Sequence, residues 1–284
     1  MFENITAGWK LGGAVRKLIF EDKKLMVFPI VAAIVILVET VAIFASLFLF
    51  GAGSSVPFIA WLVIYYIIVY FTSTYILVAM LIAFRSFGTK TPVGFAGAFS
   101  KASGYFVQIF EWAVFESIVT MIIRVIEQRL GYVGAAIFGL AASMAMGTAT
   151  AFAIPVIVDK KMGPIDTLKE STNFIIKNFG KTFGGLIYSE LYSLIFIVAG
   201  IAMVILGLFT LGLLAVLGIA LVVFGAMMSY LISNVYRFVL YDYMNGGKLP
   251  KGITDDMVKS SVKRQAQGRG GLGGVFGVGS TGNI

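Results

Sequence analysis

Four stretches of the chain, Leu25 to Phe50, Pro57 to Phe84, Gly134 to Val158 and Leu213 to Phe238, contain one acid (Glu39) and one arginine (Arg237) among them. A bilayer's hydrocarbon core of roughly 30 Å takes about 20 apolar residues as helix, so each stretch is long enough to cross it. Two further stretches are apolar but less clean: Tyr105 to Glu127, with Glu111, Glu116, Arg124 and Glu127, and Phe183 to Leu208, with Glu190. The pattern predicts an all-α integral membrane protein of six transmembrane helices. The connections after the first, third and fifth spans (Gly51 to Val56, Gln128 to Val133, Gly207 to Gly212) are short, whereas those after the second and fourth are longer and basic.

The polar segments carry a pattern of their own. From Pro164, at a first helical position, Leu168, Ile175, Ile176 and Phe179 form an apolar face opposite Asp166, Glu170, Asn173 and Lys177, the signature of an amphipathic helix in the headgroup plane. The N-terminal segment sets Ile5, Trp9, Val15 and Ile19 against Lys10, Arg16 and Lys17, and Thr91 to Gly104 does so more weakly through Phe95 and Phe99. The domain plan is therefore an amphipathic N-terminal helix over 1–24, a six-span domain over 25–244 with interfacial helices near 91–104 and 163–180, and a Gly-rich, basic, flexible cytoplasmic tail over 245–284. One reading makes this three repeats of interfacial helix, span, span. The competing reading is that any chain of membrane hairpins with basic loops divides this way.

Charge sets the orientation. Of 22 basic residues only Arg124 and Arg129 fall on the face opposite the rest, so the positive-inside rule places both termini in the cytoplasm. The net charge of +8 then reflects topology and anionic lipid headgroups as partners, and not nucleic acid. The N-terminus has no signal-peptide h-region or small-residue cleavage site, so the first span is expected to be retained. Composition agrees with a membrane protein: 59% hydrophobic and 13% charged, with a mean hydropathy of +0.95. The chain has no Cys and no His, which excludes disulfides, thiolate or imidazole metal sites, Ser-His and cysteine catalysis and a histidine pH switch. No cofactor is expected. The Gly run near the C-terminus lacks the Lys-Ser/Thr of a phosphate loop.

The candidate chemistry is intramembrane. Glu39 lies about 22 Å of helix from Lys24 and Glu116 about 17 Å from Tyr105, with Glu111 and Glu190 nearer the cytoplasmic boundary. A charge at such depth costs on the order of 2.5 to 3.5 kcal/mol, so these groups face protein, face water or stay protonated. They are either a cation or proton pathway or hydrogen-bonded packing residues, with Tyr65, Tyr66, Tyr70, Tyr75, Tyr188 and Tyr192 as partners. Ala135, Gly139, Ser143, Gly147 and Ala151 recur every fourth residue, a small-residue stripe for close helix packing, within the chain or between copies of it. Gly212, Gly218 and Gly225 suit the same purpose in the sixth span.

The run from Ala153 to Phe183, with Pro155, Asp159, Thr167, Leu168, Lys169 and Ser171, resembles a pattern in poorly characterised prokaryotic membrane families. These are related to the membrane domain attached to some glycerophosphodiester phosphodiesterases. The resemblance implies a membrane-embedded accessory or scaffold module, and with no hydrolase domain here it carries over no catalytic residue. The expectation is a non-enzymatic structural, lipid-associated or complex-forming component, alone or as a homo-oligomer or membrane complex. The alternative is a transporter or channel for a cation, proton or small solute using the intramembrane glutamates.

Overall fold

Long runs of apolar residues with few β-breaking turns fold as helices because a helix satisfies every backbone polar group internally, as lipid requires. The computed structural model describes residues 2–21, 23–50, 55–87, 89, 91–210, 212–247 and 253–254, and every regular element among them is helical. In order these are α1 (Phe2–Glu21), α2 (Val27–Phe50), α3 (Ser55–Ser86), α4 (Phe95–Ala102), α5 (Phe106–Arg129), α6 (Tyr132–Ala149), α7 (Ala153–Lys160), α8 (Pro164–Leu208) and α9 (Leu213–Met244). Single 3₁₀ turns at Lys23–Met26 and Ser103–Tyr105 lead into α2 and α5.

Five segments are long and apolar enough to cross a membrane: Lys24–Ser46, Ala60–Ser86, Tyr132–Lys160, Glu190–Leu208 and Leu213–Met244. The remaining expected span, α5, has 24 residues but carries Glu111, Glu116, Arg124, Glu127 and Arg129. It runs antiparallel to α3. Phe71 packs against Phe106 and Phe110, with ring centroids 5.2 and 6.5 Å away, and Tyr66 lies beside Arg124. From Tyr66 to Arg85 is about 28 Å of helix, close to the thickness of a hydrocarbon core. The charged end of α5 and the Arg85 end of α3 thus bound a layer of bilayer dimensions.

Several segments depart from the sequence pattern. The charge-free run Gly134 to Val158 is two helices, broken at Thr150–Phe152. Pro155 has no N–H to donate and its ring clashes with the carbonyl four residues back, so the chain cannot continue as one helix. Its second half is apolar because it is buried in protein: Ala153 to Val158 are all buried. The segment 163–180 is not a separate interfacial helix, since α8 runs 45 residues without interruption. The apolar face of α1 is also taken up by protein. Leu11, Val15, Leu18 and Ile19 are buried where α1 packs on α8 and α9; Trp9 stands edge-on to Tyr188 at 4.7 Å and the Arg16 guanidinium lies 4.9 Å from the Tyr192 ring centre. In α4, Phe95 and Phe99 pack on Phe28 of α2, and the Tyr75 hydroxyl donates to the Phe99 carbonyl at 2.9 Å. Of the tail expected from 245, everything beyond Gly247 except Ile253 and Thr254 lies outside the described residues.

Lipid tails are as apolar as the helix surfaces, so helices associate in a membrane through close packing and hydrogen bonds. The tightest seam joins α8 to α9. A Cβ added at Gly200 would stand 2.7 Å from the Gly218 carbonyl oxygen, and one at Gly218 would stand 2.6 Å from that of Gly200. Gly225 repeats the approach two turns later, where a Cβ would meet Ser193 O at 3.0 Å.

Gly218→Val should therefore separate α8 from α9 and destabilise the protein by about 1 to 3 kcal/mol. Gly147→Ala, at a site with nothing within 4 Å of the added Cβ, should be neutral or stabilising by up to about 1 kcal/mol. Thermal unfolding of the two variants in one detergent would check the contrast.

Candidate functional site

The four intramembrane carboxylates occupy four different settings. Glu39 on α2 accepts a hydrogen bond from the Thr72 hydroxyl of α3 at 2.6 Å, and its other oxygen, Oε2, is buried without a partner among the described residues. One residue on, the hydroxyls of Thr40 and Tyr65 meet at 3.2 Å. Glu190 on α8 accepts from Ser229 at 3.1 Å and from Ser233 at 3.3 Å, tying α8 to α9 beyond the glycine seam. Glu111 is exposed on α5. Glu116 is half-buried on the same helix, with the Trp112 indole one turn back as its hydrogen-bond donor.

Glu116 opens into a cavity of about 280 Å³ between α3, α5 and α6. Its polar lining comes from Tyr70, Glu116, Thr120, Arg124, Glu127 and Ser143, with Gly147 and Thr150 completing the α6 wall. The Tyr70 and Thr120 hydroxyls are paired at 2.7 Å, and Arg124 Nη1 donates to Glu127 at 2.8 Å. The Thr150 hydroxyl donates back to the Met146 carbonyl, leaving its oxygen as an acceptor. Thr72, which holds Glu39, and Tyr70, which lines the cavity, are separated by about 200° around α3. Glu39 and Glu116 therefore stand on different sides of one helix, and Glu39 does not line the cavity.

The small-residue stripe has a divided role. Ala151 is buried at the α6–α7 break, Ala135 and Gly139 are partly buried, and Ser143 and Gly147 are exposed toward the cavity. Gly139 makes room for the Glu127 side chain, whose carboxylate fills the place of a Cβ. Between α5 and α6, smallness thus creates space for polar groups as well as for backbone contact.

A second charged cluster has no counterpart in the sequence pattern. Arg85, ending α3, binds Asp159 of α7 at 2.5 Å and Asp242 of α9 at 2.6 Å. Lys160 beside it pairs with Glu170 of α8 at 2.6 Å. Positions of the Pro155 to Ser171 motif fall around this knot and have structural tasks. The Ser171 hydroxyl accepts from the Phe152 backbone N–H at 3.1 Å, capping the break, while Thr167 is fully buried with its hydroxyl directed at the Met162 carbonyl. Leu168 packs on the buried cluster of Trp112, Ala153 and Ile157. The signal that could have found Arg85 was its position, a lone cation ending a span otherwise free of charge.

No group of three or more metal-ligating side chains occurs among the described residues. The cavity offers one carboxylate without an ion-pair partner among the described residues, an Arg–Glu pair, and hydroxyl oxygens. In comparisons with known proteins, the model of a family of unknown function, DUF6159, matches residues 51–251. No curated protein and no solved structure matches the chain.

Asp242 has 12% of its side chain exposed and Asp159 35%, so the two partners of Arg85 are unequal. Asp242→Asn is expected to destabilise the protein by about 2 kcal/mol, because it weakens a charge-assisted bond while leaving Arg85 half-buried. Asp159→Asn should have the smaller effect, which unfolding of both variants in lipid nanodiscs would measure.

Proposed function

The chain belongs to the family of unknown function DUF6159, and we propose that it is a non-catalytic, lipid-associated component of the cytoplasmic membrane that works in a complex, either of its own copies or with other membrane proteins. The observation that carries this reading is how the polar groups at bilayer depth are used. Glu39 is held by Thr72, Glu190 by Ser229 and Ser233, and Arg85 by two aspartates, so each joins one helix to the next. Glu39 and Glu116, the two acids a transport path would share, sit on different sides of α3. The concentration of basic residues at the Arg85 end supports contact with anionic headgroups there and both termini in the cytoplasm. The likeness of the Pro155 to Ser171 motif to the membrane domain of some glycerophosphodiester phosphodiesterases supports an accessory role, and without His or Cys the reading assigns no catalytic chemistry.

A second reading, transport of a proton, cation or small solute, is favoured by one feature: the cavity at Glu116, which sets a carboxylate beside hydroxyl groups within the bilayer-sized layer. Proton and cation flux into proteoliposomes separates the two. The expected result is flux no greater than in protein-free vesicles under any imposed gradient. Flux that disappears in a folded Glu39→Gln, Glu116→Gln double variant would replace the first reading with the second.

A further inference from the structure

We propose that the cavity between α3, α5 and α6 receives a primary ammonium group, with Glu116 as its counter-ion and the headgroup of an amino-phospholipid as its source. The inference rests on the lipid-associated reading above and specifies the ligand chemistry. Three ionisable side chains line the cavity, and two of them, Arg124 and Glu127, are joined at 2.8 Å. Glu116 is left without an ion-pair partner among the described residues, in a layer where an unpaired charge is costly and a cationic ligand would relieve it.

The neutral groups point the same way. Thr150 uses its proton on Met146 O, and the Tyr70–Thr120 hydrogen bond uses one of that pair's two hydroxyl protons, while each of these oxygens keeps a lone pair that can accept. A primary ammonium offers three donors and no acceptor, which matches a carboxylate ringed by hydroxyl oxygens. A bare divalent ion fits less well. Such ions take six or more oxygens, usually with several carboxylates, and no cluster of three metal-ligating groups occurs among the described residues. The volume of about 280 Å³ also exceeds by far that of a desolvated ion.

Position favours a lipid as the source. Tyr70 and its partner Thr120 are one helical turn inside the Tyr66–Arg124 boundary of the layer, and Glu116 is one turn further along α5, about 12 Å of helix from Arg124. A headgroup amine from the adjoining leaflet reaches Glu116 by passing Thr120 and Tyr70 down the cavity. Arg124, with 58% of its side chain exposed, lies at the mouth, where it adds positive charge near the phosphate joined to that amine. On α5 and α6, Ile122, Ile126, Leu140 and Met144 are exposed and present an apolar surface to acyl chains.

The test is native mass spectrometry of the full chain released from nanodiscs of equal phosphatidylethanolamine and phosphatidylcholine, which differ in whether the nitrogen carries N–H. The expected result is retention of phosphatidylethanolamine about tenfold over phosphatidylcholine, abolished in Glu116→Gln and kept in Glu111→Gln, whose acid lies outside the cavity. Should Glu116→Gln fail to fold, Gly147→Leu fills the void from α6, and it too should remove the preference. A parallel arm titrates ethanolamine into delipidated protein. A Glu116-dependent thermal shift there, with no lipid preference, would keep the ammonium site and make a soluble amine its source. Absence of both signals overturns the site. If lipid is still retained without headgroup preference, only the site fails; a protein that keeps no lipid and conducts ions would fail the broader reading as well.

Discussion

Arg85 is the point on which the arrangement of the helices depends. It makes five hydrogen bonds to two carboxylates, two with Asp159 and three with Asp242, and so fixes the ends of α3, α7 and α9 to one another. Removing a guanidinium and two carboxylates from water is unfavourable unless each finds full hydrogen-bonding compensation, and the forked geometry of arginine supplies it where lysine would not. The consequence reaches beyond that end of the molecule. α7 is a short stub after a proline-enforced break, so anchoring Asp159 also sets where α6 stops. The cavity wall formed by Ser143, Gly147 and Thr150 is placed through that anchor.

Away from this knot the helices are joined by two kinds of contact, and each suits its depth. The α8–α9 seam relies on backbone approach at Gly200, Gly218 and Gly225, which is effective in lipid because no polar group has to be desolvated. The α2–α3 and α3–α5 seams combine aromatic packing, Phe44 on Tyr65 and Phe71 on Phe106 and Phe110, with side-chain hydrogen bonds, Thr72 to Glu39, Thr40 with Tyr65 and Tyr70 with Thr120. Such bonds contribute about 1 kcal/mol each, enough to fix the rotation of one helix on another but not to exclude space between them. The cavity lies at the α3–α5 seam, where Tyr70 meets Thr120, and not at the glycine seam.

Much of this was legible in the chain. Charge-free length located four of the five segments able to cross a membrane; the fifth, Glu190–Leu208, was one of two less clean stretches, and the other, α5, is too charged to be among the five. The glycines at 218 and 225 marked a packing face. The amphipathic segments were legible as amphipathic, but a helical apolar face looks the same whether lipid or protein covers it. Hence α1, read as an interfacial helix, proves to bury Leu11, Val15 and Ile19 against α8 and α9. The same ambiguity hid α7, whose residues are as apolar as a lipid-facing span because protein surrounds them. Charge pairing over long separations could not be read at all: Arg85, Asp159 and Asp242 meet only once the topology is known. The stripe on α6 shows a subtler limit, since spacing reveals that residues are small and not whether the space they leave is filled.

That space gives α6 its distinctive place. No residue of the helix from Tyr132 to Ala149 is buried, whereas α7, which follows it, is nearly enclosed. α6 is secured at its C-terminal end by the capped break at Thr150–Phe152 and near its middle by Glu127 set into the place of a Gly139 side chain. Between those two supports its inner face looks onto the cavity. A helix with so little buried apolar surface belongs to the less stable part of a fold, where local opening is easiest. Any group bound to Glu116 would add contacts to the very wall that has fewest of its own, so occupancy of the cavity and the position of α6 are coupled by the packing itself.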